Sequence, residues 1–240
     1  MKKKVLAISL AVALIAIVMV SGTLAWFSDT DEATNTFTIG SIEIFQHEHQ
    51  HNDDTGAIED FQQNQFLLPI VNTANPAADK NYVEKMVAVE NIGENEAYVC
   101  VNIAVPTAIK DIINLDLDTQ GWTLLSRTPN TATVDGEEYT VYSYIYNAEL
   151  AADAVTGYLL KGVWMDAEVD LQPNPAKQNA KQFCTWNDTT DSWDFYDYDT
   201  TGTLKILVAT QGCQASGFAD ANAAITTVFP SIPDFTSVEP

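Results

Sequence analysis

The sequence predicts an all-β protein: a jelly-roll-like β-sandwich with short helical insertions, preceded by an N-terminal signal helix. Three observations predict it. Apolar and polar residues alternate with period two along much of the chain; Gly, Asn and Asp gather between the alternating runs; and no βαβ rhythm or helical repeat is present. Many short strands separated by turn signals belong to sandwiches and barrels rather than to parallel sheets.

The chain opens with Met-Lys-Lys-Lys, runs apolar over residues 5–20 apart from Ser9, and leaves through the small residues of "SGTLA". A cationic start, an apolar middle and a small-residue exit make a secretory signal peptide. The apolar run is shorter than the roughly 20 residues with which a helix spans a bilayer. Residues 1–25 are therefore read as a signal peptide, cut at the Ala25/Trp26 junction. An uncleaved anchor is the alternative, and the chain is exported in either case. Membrane contact is expected only through this segment, before cleavage.

Residues 26–230 are expected to form one sandwich domain. Alternation begins at Thr36. In "AYVCVNIAV" Val99, Val101 and Ile103 share one face, opposed by Tyr98, Cys100 and Asn102. "EYTVYSYIYN" sets Tyr139, Val141 and Ile145 against Tyr142, Tyr144 and Tyr146, and "GTLKILVAT" gathers Leu204, Ile206 and Val208. "NIGENEA" suits a turn joining two neighbouring strands, and Asp135-Gly136 suits a hairpin. Helical signals are confined to "PTAIKDIIN" and to "GFADANAAITTVF", which spaces Phe218, Ala221, Ile225, Val228 and Phe229 along one stripe. Long loops are expected at 46–81, polar with an apolar island "FLLPIV", and at 172–202. The end of the second is expected to form a hairpin carrying Trp186, Trp193, Tyr196 and Tyr198. Residues 231–240, rich in proline, read as a loose C-terminal tail.

The formal net charge is −22, and loss of residues 1–25 removes Lys2, Lys3 and Lys4 but no carboxylate. Nucleic acid is excluded as a partner, because its phosphates need Lys and Arg to neutralise them. Such a surface also repels its own copies until ions screen it. The three cysteines, Cys100, Cys184 and Cys213, are too few for a disulfide scaffold, and a Cys100–Cys213 or Cys184–Cys213 bridge stays open as an alternative to free thiols.

All three histidines lie in "HEHQH". On an extended segment His47, His49 and His51 point to one face, a pattern able to offer nitrogen ligands to zinc. The string also matches H-E-x-x-H, but that motif works on a helix, and the flanking sequence here reads as strand and turn. A solvated polar loop is the bland alternative. "DFYDYDTTG" and "NDDTG" cluster oxygen ligands suited to calcium without following the EF-hand order. No cofactor is otherwise expected. GxSxG, P-loop and GxGxxG motifs are absent, and no catalytic residues are assigned.

The stretch "GTLAWFSDTDEATNTFTIGSIEI" resembles the export signal and first strand of the TasA/camelysin family of Gram-positive surface proteins. The likeness rests on Gly22, Thr23, Ala25, Phe27, Asp29, Thr34, Phe37 and Gly40. Further likeness lies in "VAVENIGENEAYVCVNIAVP", "YIYNAELAADAVTGYLLKGV" and "ATQGCQASGFADANAAITTVF". Cys100, Cys213 and the bulky Trp26 depart from the pattern. The resemblance implies cleavage by a SipW-type signal peptidase and a jelly-roll-like sandwich at the cell surface or in the biofilm matrix of a Gram-positive-type bacterium. It further implies self-association, or association with related fibre subunits, in which the freed N-terminal segment, through Phe27, Thr34, Phe37 and Ile39, completes the sheet of the next subunit. Because camelysins are classed with metallopeptidases, a surface metallopeptidase is the alternative. An adhesion or ligand-binding module using the aromatic-acidic loop is a third.

Overall fold

Strand β4 (Ala97–Pro106) is buried along its whole length, the outcome expected of a strand covered on both faces; its one buried amide, Asn102, is satisfied by Ser143, whose Oγ donates to its Oδ1 at 2.6 Å. The two faces of β4 serve different cores. Val99, Val101, Ile103 and Val105 point into the sandwich, while Tyr98, Cys100 and Ala104 point to the opposite side. The computed structural model describes residues 42–63, 65–198, 200 and 204–236. The chain divides at Ile39/Gly40, and all the described residues belong to Gly40–Pro240.

Around β4 the second sheet runs β13 (Leu207–Gln214), β4, β8 (Glu137–Tyr146), β6 (Trp122–Leu125), with β7 (Thr131–Val134) also on β8. The first sheet runs β2 (Ile58–Asp60), β1 (Ile44–His51), β3 (Val83–Asn91), β9 (Leu160–Met165), β5 (Ile113–Leu117). All strand pairings in both sheets are antiparallel. The main core lies between them: Val87 and Val89 of β3 and Val163 and Met165 of β9 meet the inner rows of β4, β8 and β13. A small third sheet, β10 (Val169–Asn174), β11 (Ala180–Asn187), β12 (Ser192–Phe195), adds Val169 and Phe183 to that core. The fold is thus an all-β sandwich, and it fits the jelly-roll-like class.

The alternation read in β4, β8 and around β13 is the alternation observed. Tyr142, Tyr144 and Tyr146 join the inner core, Tyr139, Val141 and Ile145 the outer clusters, and Leu204, Ile206 and Val208 lie together. Asp135 and Gly136 turn β7 into β8 with φ of 54° and 87°, the left-handed pair that a two-residue hairpin demands. "NIGENEA" behaves differently from the expectation. It joins β3 to β4, but these strands lie in different sheets, so it arches across the sandwich instead of closing a hairpin. Buried Asn91 fixes the arch: its Nδ2 donates to Asn95 O at 2.7 Å and Leu150 O at 2.8 Å, and its Oδ1 accepts from Gly93 N at 3.0 Å.

Helix α1 (Ala221–Val228) is the one the apolar stripe predicts. Asp220 caps it, accepting from Ala223 N at 2.8 Å. The helix packs Ala221, Ala224 and Ile225 on the outer face of the second sheet against Tyr98, Cys100, Ile145 and Cys213. "PTAIKDIIN" contributes only a 3-10 turn, Thr107–Ile109. Among the described residues no helix is long and apolar enough to cross a membrane.

Three loop or tail expectations are corrected. Residues 46–51 are strand, not loop, because β1 is paired on both sides and its polar side chains find partners within the sheet. The 172–202 region is not one long loop: it holds the end of β10 and all of β11 and β12, with the β11–β12 hairpin inside it as expected. The C-terminal segment is held down as far as Phe235, 1% exposed among Ala104, Val134, Tyr139, Val141 and Leu207. Arg127 fastens the same segment through Nη1, which donates to Phe229 O at 2.6 Å and to Ser231 O.

Candidate functional site

Strand β1 carries the histidines, and its register with β3 decides what they can do. His47 lies opposite Ala88 and His49 opposite Met86, so Phe45, His47, His49 and His51 form one row on the face turned away from the core. Each histidine has its own partner. His47 Nε2 donates to Glu90 Oε2 at 2.8 Å, His49 Nδ1 is hydrogen-bonded to Tyr158 OH at 3.0 Å, and His51 Nδ1 meets Glu84 Oε1 at 2.9 Å. The rings form a ladder: Phe45 to His47 at 4.9 Å, His47 to His49 at 5.1 Å, His49 to Tyr158 at 6.0 Å between centroids.

This geometry does not fit a zinc centre. Same-row residues four apart on a strand are separated by about 13 Å along the chain, whereas zinc–nitrogen bonds are about 2 Å long. Among the described residues no group of three His, Cys, Asp or Glu side chains is placed to hold a metal. The H-E-x-x-H match fails for a second reason. Glu48 belongs to the alternate row and points inward, where it pairs with Lys85 Nζ. It is on the wrong side of the strand to act on anything the histidines hold.

The inward pair is a feature that sequence reading missed. Lys85 is only 7% exposed, its ammonium lies 4.3 Å from the centre of the Phe61 ring, and Glu48 also accepts from Gln46 Nε2 at 2.9 Å. The signal was present in "NYVEKMVAVEN", where Lys85 shares a parity with Val87 and Val89, but a charged residue in an apolar row reads as a break in the strand.

Of the acidic clusters, Asp194 accepts from Asn187 Nδ2 at 2.7 Å and Asp197 pairs with Lys177 at 3.0 Å. Both carboxylates are engaged within the protein. The aromatics of that region divide by face. Tyr196 and Tyr198 turn towards the main core, with Tyr198 stacked on Phe183, while Trp186 and Trp193 pair edge to face across the hairpin at 5.2 Å, Trp186 remaining 46% exposed. Cys100, Cys184 and Cys213 are all free and buried. Cys100 faces Gln211 in the register and Cys213 faces Tyr98, so the two are diagonal and not opposite.

The cleavage residues Ala25 and Trp26, and the segment residues Phe27, Thr34, Phe37 and Ile39, lie outside the described residues. Among the described residues the margins of the first sheet are β2 and β5, and those of the second are β13 on one side of β4 and β6 and β7 beyond β8.

Residues 1–53 match the family model of the camelysin metallo-endopeptidases. That match supports the TasA/camelysin resemblance from the N-terminus through the whole of β1, and with it a cell-surface family member. No curated protein and no solved structure matches the chain.

Proposed function

We propose that this chain is an exported structural subunit of the cell surface or biofilm matrix, released by a SipW-type signal peptidase, which assembles with copies of itself or related subunits by donating its N-terminal segment. The observation that carries this reading is an antiparallel sandwich whose sheet margins are unpaired among the described residues, with a Thr-rich, strand-patterned segment earlier in the sequence that falls within the family match. Unpaired edge amides and carbonyls are satisfied by an added strand. Before release that strand is tethered to an apolar segment, and afterwards its end is free. Asp29, Asp31 and Glu32 discourage indiscriminate edge pairing in the meantime.

The test is electron microscopy of the processed protein beside a variant lacking residues 27–39. Filaments from the first and none from the second, with equal far-UV circular dichroism, are expected. Filaments from the shortened variant would contradict donation.

The name of the matching family favours a second reading, a surface metallopeptidase. A chelator-sensitive cleavage of casein by the purified protein would raise it; unchanged casein after prolonged incubation with added zinc would count against it.

A further inference from the structure

We propose that the outward face of the third sheet, at its hairpin end, is a binding platform for a glycan built of amino sugars whose amines are free. The inference is independent of how the chain assembles. Residues directly opposite one another on antiparallel strands share a face, and the registers of β10, β11 and β12 sort this sheet into two. Val169, Leu171, Phe183 and Thr185 share one face, which Val169 and Phe183 pack on the main core. Asp170, Gln172, Cys184, Trp186, Trp193 and Phe195 share the other.

The three aromatic rings of that second face belong to none of the apolar cores formed by the described residues. Near the start of β11 the face is closed, with Gln182 and Asn174 buried and Asn174 Nδ2 donating to Gln182 Oε1 at 2.6 Å. At the hairpin it is open: Trp186 is 46% exposed and stands edge to face with Trp193. A tryptophan pair turned to water with no core to fill is surface available to a ligand.

Charge indicates which ligand. Because the strands are antiparallel, the turn before β10 and the turn between β11 and β12 lie at the same end of the sheet as Trp186. Those turns carry Glu168, Asp188 and Asp191, all exposed, and among the described residues none of the three pairs with a lysine or arginine. Asp170 adds a fourth carboxylate on the platform face itself, diagonal to Trp186. Gln172 Nε2 and Leu171 N donate to it at 2.6 Å and 2.7 Å and hold its carboxyl below the ordinary aspartate range.

An anionic polymer is repelled from such a place, whereas an ammonium group is drawn to both the carboxylates and the ring faces. The apolar C–H face of a pyranose lies flat on an indole, and its hydroxyls meet polar side chains such as Gln172, Thr190 and Ser192 at the margin. An amino sugar joins the two features in one rigid unit, which loses little freedom on binding. A basic peptide offers the ammonium alone and needs a sheet edge to fix its backbone. The edge at β12 is four residues long and carries Asp194.

The experiment titrates the protein purified from the medium of a secreting Gram-positive host with a β-linked glucosamine hexamer at pH 6 and low salt, followed by calorimetry and tryptophan fluorescence. The fully N-acetylated hexamer and hexalysine are titrated beside it. Saturable binding of the glucosamine hexamer with a fluorescence change is expected, weakened at least about tenfold in W186A and weakened also in D170N, with circular dichroism unchanged. If W186A disturbs the hairpin, D170N decides, and an unaltered affinity in that variant overturns the assignment. Equal affinity for the N-acetylated hexamer overturns the role given to the amines. Hexalysine bound as tightly, with no loss in W186A, reduces the effect to counter-ion association and overturns the platform. No heat and no fluorescence change with the glucosamine hexamer overturns it outright.

Discussion

Cys100 shows how much a single position is governed by its surroundings. Burial pushes its thiol up to about 11, against the opposing pull of the Arg127 guanidinium. Burial raises the Cys184 and Cys213 thiols as well. Since the thiolate is the reactive form, iodoacetamide at pH 8 should label none of the three in the folded protein and all three in urea, read by intact mass. Gly162 makes a steric prediction. A Cβ there would lie 2.2 Å from the ring of Tyr82, whose hydroxyl donates to Asp116 at 2.8 Å and whose ring stacks on Trp164. G162A should cost about 1–3 kcal/mol in urea unfolding, the usual range for overpacking. Neither feature was legible in the sequence, because Cys100 and Cys213 are buried between β4, β13 and α1, and the contact at Gly162 of β9 is made by Tyr82 just before β3, far apart along the chain. The inward orientation of Glu48 was legible from parity alone once residues 44–51 are known to be strand.

At the scale of elements, legibility followed side-chain chemistry. Strands β4 and β8 were readable because β-branched and aromatic residues alternate along them, and α1 because of its apolar stripe. D220A removes the cap of α1 and should cost about 1 kcal/mol of stability. β1 was hidden for the opposite reason. Seven of its positions after Ile44 hold Phe45 and polar residues, and what makes it a strand is pairing with β2 and β3, which no local pattern displays. The C-terminal segment was hidden likewise, its anchorage resting on one buried ring and one guanidinium. Phe235→Ala should cost about 3–5 kcal/mol, the range for deleting a buried aromatic ring, and should increase protease cleavage after residue 230, seen as a mass loss of the terminal segment.

For the molecule as a whole, charge sets the conditions. Asp79 is held below the ordinary aspartate value of 3.8, first by the backbone N–H of Asn72 and then by that of Asn81; Asp118 is held down by Lys161, and Asp197 by Lys177. A carboxylate lowered by folding adds stability above its unfolded value and loses it as pH falls through its folded value. The urea midpoint should therefore hold steady down to about pH 3.8 and decline below it, as measured by fluorescence of the tryptophans. With a formal charge of −22 that grows more negative once Lys2, Lys3 and Lys4 are lost, association between copies should be slow at low ionic strength and faster as salt screens the repulsion. The cladding of the second sheet has a geometric consequence for any such array. Because α1 and the Phe235 strap occupy its outer surface, the second sheet offers neighbouring molecules no bare broadside against which to laminate. Broadside stacking between copies is left to the first sheet, whose outward row carries Phe45 and the three histidines.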